Sequence, residues 1–263
     1  METLYHTPAY LKAIYQPKGR AREYCPWAVN LYRGCGQMCA YCYAPDSLHM
    51  TNEEFHKPAP RVDIITKLTK DCANLKANNL SCKTLFCFSC DPYQAINNEF
   101  QLMRQAIEIL HFYGQSVVIL TKGGHHASAD IPLLTEGDEF AVTLTCSDNR
   151  LSRLWEPNAA LPEERIDTLK EVHARGIYTW VSMEPVLYPV QSLDLIEQTH
   201  TFVKKYKLGI LNYSDKLPDG LKEQVKNINW QDYGVKAVSL VKKLGKEYYI
   251  KDDLKAYLPN GVE

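Results

Sequence analysis

From Ala28 onward, short β-branched or apolar runs alternate with longer amphipathic segments, and this alternation confines the chain to an α/β fold wound around a mostly parallel sheet. Six runs read as strands: 28–31, 83–89, 116–122, 139–145, 178–183 and 208–211. Helical patterns fall between them over 62–75, 99–112, 162–175 and 193–206; the second places Phe100, Met103, Ile107 and Leu110 on one face. Pro162 stands where a first-turn proline belongs, and Gly114 and Gly176 stand just past two helix ends. After Asn212, helical signals recur near 217–225 and 231–244, followed by a short run at 248–250. No Gly-, Ser- or Pro-rich linker and no repeat interrupts the chain. Residues 1–263 therefore read as one domain, with 1–27 an extended arm, 28–212 the core and 213–263 a helical and strand extension.

Composition narrows the function classes. Hydrophobic residues at 45% and charged residues at 23% exclude disordered, collagen-like and coiled-coil chains. A formal charge of -1 argues against a protein held to nucleic acid by bulk electrostatics. Residues 200–255 hold twelve Lys against seven acidic residues, which reads as a solvated helix face. No stretch approaches the roughly 18 apolar residues of a membrane span, and METLYHTPAYLK lacks the layout of a signal peptide. The expectation is a cytoplasmic protein without a membrane partner.

Nine cysteines, an odd number without a secretory signal, make a poor disulfide framework and fit reduced thiols or metal ligands. Three of them, Cys35, Cys39 and Cys42, form C-x3-C-x2-C directly after the first predicted strand, where one loop can aim three thiolates at a small volume. Zinc would want a fourth ligand nearby, and His49 lies seven residues on. An iron-sulfur cubane on three thiolates leaves one iron open for a substrate or cofactor. Cys87 and Cys90 form a second C-x2-C; if the strand stays regular through Cys90 they cannot both face one side. Strand packing, hydrogen donation to a radical and metal ligation all remain open for this pair.

With Tyr41 just before the third cysteine, the loop resembles the radical S-adenosylmethionine superfamily. Asn30-Leu-Tyr32-Arg33-Gly34-Cys35, Ser89-Cys90-Asp91-Pro92-Tyr93-Gln94, Thr121-Lys122, Thr143-Leu-Thr145, Arg153-x-x-Glu156-Pro157 and Arg165 are similar, in order and spacing, to its spore photoproduct lyase-like branch. This likeness covers roughly residues 28–190. It implies a partial (β/α)6 TIM-like barrel with its active groups at the C-terminal strand ends. It also implies a 4Fe-4S cluster on Cys35, Cys39 and Cys42, S-adenosylmethionine at the open iron, and an electron donor such as flavodoxin or ferredoxin. By the same resemblance Tyr41 packs near the adenine. Asp91, Lys122 and Thr143, with Cys90 and Thr145 beside them, are similar to residues that contact the cofactor, and Tyr43 matches a tyrosine of a radical relay.

Two positions depart from the branch. A cysteine three residues before the matching Asp donates hydrogen there; here it is Phe88, flanked by Cys87 and Cys90. An acidic residue three positions after the Gln is replaced by Asn97. The resemblance implies a radical enzyme, a lyase or another radical-based transformation, acting on a nucleic-acid base or lesion. Tyr32, Arg33, Arg150, Arg153 and Trp155 are candidates for stacking and phosphate contacts near the barrel mouth. A small molecule or peptide is the rival substrate, and a non-catalytic iron-sulfur or zinc protein the rival class. His125 and His126, adjacent on a loop with no further ligand, read as polar or exposed residues.

Overall fold

Strands buried on both faces need continuous apolar runs, and the runs in the middle of this chain form the centre of one large sheet. The structure, a computed structural model, describes residues 10–262. Its strands are β1 (Ile14–Tyr15), β2 (Trp27–Val29), β3 (Tyr32–Arg33), β4 (Ala59–Pro60), β5 (Lys83–Phe86), β6 (Ser116–Thr121), β7 (Glu139–Thr143), β8 (Tyr178–Met183), β9 (Lys205–Leu208) and β10 (Glu247–Ile250). The large sheet runs β1-β2-β5-β6-β7-β8-β9-β10 and is not closed. Within this sheet every pairing from β2 to β10 is parallel and β1 runs antiparallel to β2; β3 and β4 pair antiparallel in a separate two-stranded sheet. The molecule is an α/β partial TIM-like barrel.

Short helices α1 (Ala44–Ser47) and α2 (Asn52–Phe55) follow β3. The layer behind the sheet includes α3 (Ile64–Ala77), α5 (Leu102–Phe112), α7 (Pro162–Ala174) and α8 (Pro189–Thr199); α4 (Asn97–Phe100) precedes α5, and α6 (Asn149–Trp155) packs by Trp155 against the cysteine loop. Helices α9 (Asp219–Val225), α10 (Trp230–Lys243) and α11 (Asp252–Lys255) complete the chain. The helix expected over 99–112 is broken at Gln101, which takes a left-handed φ of 48° between α4 and α5.

All six expected strands are present, and β10 adds a seventh parallel strand from the stretch assigned to the C-terminal extension. The last expected strand forms at 205–208, not 208–211, because α8 starts at Pro189 and stops at Thr199, earlier than its periodicity predicts. Lys-Tyr-Lys-Leu can then alternate beside β8, with Tyr206 sending its hydroxyl to Thr199. Residues 1–9 of the expected arm lie outside the described residues. The rest of it is not simply extended: it forms β1 and a 3-10 turn, Gly19–Glu23.

Alternation sorts the two faces of the sheet. Val117, Ile119, Phe140 and Val142 pack outward on the helices, while Ala28, Leu85, Val118, Ala141 and Trp180 fill the lumen. Two lysines of the basic C-terminal third also turn inward, contrary to the solvated-face reading. Lys207 donates to the carbonyls of Glu23 (2.8 Å) and Tyr24 (3.0 Å) and lies over the Trp180 ring, and Lys251 is buried in an ion pair. Burial first, then the positive Lys205, brings the Lys207 ammonium down to about 8.

One carboxylate ties the arm to the barrel. Asp71 of α3, 1% exposed, accepts backbone N–H groups from Lys12, Ala13 and Ile14 at 2.6–3.0 Å. Asp71→Ala leaves these donors without their acceptor, and each buried unpaired group costs about 1–3 kcal/mol. A loss of at least about 2 kcal/mol in urea unfolding, with early proteolysis of the arm, is the expected result.

Candidate active site

The cysteine loop is fixed from three sides. Gly34 holds a φ of 82° and passes so close to α2 that a Cβ would stand 2.4 Å from the Phe55 carbonyl. That carbonyl accepts the Cys35 N–H at 2.8 Å, and the Thr51–Glu54 capping box fixes α2 itself. Gln94 clamps the turn from β5's side, accepting from Gly36 N (2.8 Å) and donating to Gly34 O (3.2 Å). From the α6 side, Ala40 N donates to Trp155 O (2.8 Å) and Asn158 Nδ2 to Gly36 O (2.8 Å).

Cys35, Cys39 and Cys42 consequently line one end of a single cavity of about 830 Å³ over the C-terminal strand ends. Burial pushes all three thiols up, Cys35 to about 12, so as thiolates they call for a positive partner. Among the described residues no three His, Cys, Asp or Glu side chains converge tightly enough to hold one metal ion. One zinc would need every ligand atom about 2 Å from a single point. Three separated soft donors in one wall fit a cluster of several irons, each thiolate on its own iron. The Asp91 N–H directed at Cys35 Sγ (3.4 Å) suits a thiolate ligand.

Beside the loop stands Lys122, just after β6, its ammonium 5.7 Å from the Tyr41 ring centroid. Burial pulls it down, but Cys39, Glu156 and Asp91 outweigh this and hold it above its ordinary value. No carboxylate of the described residues forms an ion pair with it, which leaves room for the carboxylate of a bound molecule. Asp91 is taken up by its own chain: Thr121 Oγ1 (2.7 Å), Tyr93 N (2.9 Å) and Lys122 N (2.7 Å) all donate to it. Asp91 thus makes the Asx turn and also positions Lys122.

Beneath them Tyr41 donates to Glu156, whose other oxygen meets Arg165 Nη2 at 2.5 Å, both partners fully buried. Arg165 also donates to Thr143 O (2.9 Å) and Ala160 O (2.8 Å). Burial would raise the Glu156 carboxyl, yet Arg165 and Lys122 hold it below 4.5. Thr143 ends β7 and lines the cavity. Thr145 lies beyond the strand end and outside the lining, with its hydroxyl on Cys146 Sγ (3.9 Å).

The strand carrying Cys87 and Cys90 does not stay regular. β5 ends at Phe86, Cys87 takes a left-handed φ of 57°, and Cys90 N closes a turn on Cys87 O (3.2 Å). Both residues therefore line the same cavity; Cys87 is buried against the core, the Cys90 S–H points at Tyr32 O (3.7 Å), and the neighbouring Cys87 together with burial pushes the Cys90 thiol well up. Tyr43 stands at the mouth, 42% exposed, its ring 6.2 Å from that of Tyr213.

Several expected contacts do not form. Tyr32 and Trp155 are fully buried and offer no stacking surface; Tyr32 donates to Asn97 Oδ1 (2.7 Å) and Trp155 Nε1 to the Tyr188 hydroxyl (3.0 Å). Arg33, Arg150 and Arg153 lie outside the cavity lining, and His125 and His126 are exposed. Asn97 is buried under Tyr32 and also faces away. Sequence reasoning missed the far wall, where Glu184, Lys251, Tyr24 and Asn212 meet. Their only shared sequence signal is position, just past the ends of β8, β9 and β10 and in the arm before β2.

Comparison with known proteins agrees with this geometry. The Radical SAM superfamily model matches residues 29–203. An uncharacterized protein of Mycobacterium tuberculosis is 29% identical over 174 residues, 61% of this chain and 49% of that protein. One of Methanocaldococcus jannaschii is 25% identical over 189 residues, 71% of this chain and 70% of that protein. The chain spans about half the length of the mycobacterial relatives it matches (49%). In fold it is similar to a spore photoproduct lyase variant with bound AdoMet and dinucleoside spore photoproduct: TM-score 0.68, 11% identity, 94% of this chain and 80% of that one. It is also similar to Streptococcus suis SuiB bound to S-adenosylmethionine: TM-score 0.64, 10% identity, 88% of this chain and 51% of that one. No helix among the described residues is long and apolar enough to cross a membrane.

Arg165→Met strands the Glu156 carboxylate in a dry site, and breaking a buried pair this way costs about 3–5 kcal/mol, readable in urea unfolding. Since the folded Glu156 value lies below 4.5, its stabilising contribution is full above that pH and is lost as pH falls through the folded value. Glu156→Gln should flatten the acid limb of the stability curve below pH 4.5.

Proposed function

The chain belongs to the radical SAM superfamily, and from that premise we propose that it is a radical S-adenosylmethionine enzyme that takes hydrogen from a compact ring-bearing substrate, a nucleic-acid base or base lesion. One observation carries this reading: a single cavity joins the three loop cysteines, the Lys122 ammonium and the Cys87–Cys90 turn to a polar and aromatic far wall. Pockets for one drug-sized ligand run about 300–1,000 Å³, and some 830 Å³, in the upper part of that range, supports a compact substrate over a large one.

In this reading Cys35, Cys39 and Cys42 hold the cluster, and Lys122 receives the carboxylate of S-adenosylmethionine. Bound together, these groups supply the electron from a donor such as flavodoxin or ferredoxin, and the carbon radical that abstracts hydrogen. Tyr41, pinned by Glu156, offers its ring beside the adenine, and Thr143 offers its hydroxyl to the ribose. Asp91 acts through Lys122, whose backbone it holds. Cys87 and Cys90 supply the hydrogen that quenches the product radical: an S–H bond breaks as the C–H bond forms, leaving a thiyl. Their turn supports this role, since it brings both residues to the cavity lining on either side of Phe88, where the similar branch has its cysteine. Tyr43, at the mouth beside Cys42, is the candidate relay tyrosine.

A base-bearing substrate is supported by the aromatic walls, by Tyr15, Tyr24, Phe88 and Tyr213 among them, and by the dinucleoside bound in the similar lyase structure. A free small molecule, not a polynucleotide, is the second reading. It is favoured because Lys18, Lys122 and Lys251 are the lining cations, against Asp91 and Glu184, which makes no basic cleft among the described residues.

Anaerobic reconstitution with iron and sulfide, reduction and addition of S-adenosylmethionine should yield 5'-deoxyadenosine, and Cys39→Ala should abolish it. An intact, reducible cluster that never cleaves S-adenosylmethionine, with nucleosides present, would instead mark a non-catalytic redox protein. Lys122→Met should weaken S-adenosylmethionine binding about tenfold or more in equilibrium dialysis, the value of one charged hydrogen bond.

A further inference from the structure

The cofactor-side groups sit at the ends of β2 and of β5 through β7; the ends of β8, β9 and β10 carry a second polar cluster in the same cavity. Glu184 follows β8, Asn212 follows β9, and Lys251 follows β10. Glu184 Oε2 is saturated: the Tyr24 hydroxyl donates to it and Lys251 Nζ reaches it at 2.6 Å. Glu184 Oε1 has a single long contact, Asn212 Nδ2 at 3.4 Å. Lys251 is fully engaged, between Glu184 and Glu23 (3.4 Å) and 4.6 Å from the Tyr24 ring centroid.

The chain makes room for this pair. A Cβ on Gly209 would stand 3.1 Å from Lys251 Cδ and 3.2 Å from Glu184 Cδ, tighter than ordinary packing allows. A buried ion pair is seldom the most stable filling for such a space, since apolar residues of the same volume usually do as well or better. Here the pair holds one carboxylate oxygen in place and leaves the other able to accept. Lys251 is consumed by this pair and is not free to receive a phosphate. Tyr24, Tyr213 and Pro185 supply flat apolar surface around the carboxylate.

We propose that Glu184 is the specificity-determining residue of a second subsite, its Oε1 accepting an N–H from the edge of an uncharged heterocyclic ring. This rests on the reading above that the substrate carries such a ring. In Glu184→Gln the amide oxygen stays with Lys251 and Tyr24, which need an acceptor. The NH2 group then turns to the cavity and replaces an acceptor with a donor.

The probes are uridine against 3-methyluridine and guanosine against 1-methylguanosine, titrated by ligand-detected NMR into the full reconstituted chain with S-adenosylmethionine bound. The wild type should prefer the N–H form of at least one pair by tenfold or more. Glu184→Gln should bring that ratio to near one with S-adenosylmethionine affinity unchanged, while Tyr24→Phe, which keeps the carboxylate, should preserve it. A wild-type ratio near one, or a ratio unmoved by Glu184→Gln, overturns the assignment of Glu184 and leaves the ring-bearing substrate standing. Failure of both uridine and guanosine to bind the wild type below about 10 mM overturns the ring reading and the subsite with it.

Discussion

The ion pair between Glu156 and Arg165 is the contact on which the site depends. Arg165 reaches the end of β7, the turn before α7 and Glu156, and Glu156 passes the connection to Tyr41 in the cysteine loop. Two charges in a dry site are costly, and they are tolerated because almost every hydrogen-bonding position around them is filled. The same short segment also accepts the Ala40 N–H at Trp155 O and donates from Ala160 N to Lys122 O. Loop, strand and helix thus share one rigid support, which is what sets the three loop cysteines and the Lys122 ammonium at one end of the cavity.

The barrel below is closed to ligands by ordinary packing. Trp180, Val118 and Ala141 fill the lumen and Lys207 caps it against the arm, so the open space lies only above the strand ends. Its two halves differ in chemistry. One offers soft sulfur donors and a cation, the other a tethered carboxylate among aromatic rings. Such a division suits two different molecules brought edge to edge.

Much of this was legible in the sequence. Period-two and period-3.6 patterns identified six strands and the main helices, because buried parallel strands and amphipathic helices leave strong local signals. C-x3-C-x2-C announced itself through spacing alone. What stayed hidden depends on tertiary contacts. β5 stops at Phe86 because Cys87 turns left-handed, and no propensity foretells that reversal at a cysteine. Lys207 and Lys251 look like solvated lysines until distant partners, Glu23 and Glu184, are brought to them. Tyr32 and Trp155 read as exposed aromatics near a mouth, yet their polar tips find partners 65 and 33 residues away and their rings join the packed interior.

The hydrogen bond from Asp252 N to Glu23 Oε1, at 3.0 Å, joins positions 229 apart in the chain. Glu23 also receives Lys251 and the Tyr249 hydroxyl, so the end of β10 is tied to the arm that precedes β2. Contacts of such long sequence separation carry the largest loop-closure cost and form late. During synthesis the cysteine loop and its support can assemble long before residue 251 leaves the ribosome, but the far wall cannot. The order of manufacture is therefore built into the architecture: the wall that carries the three loop cysteines draws on residues 34–165 and can settle first, while the wall at Glu184 waits for Lys251.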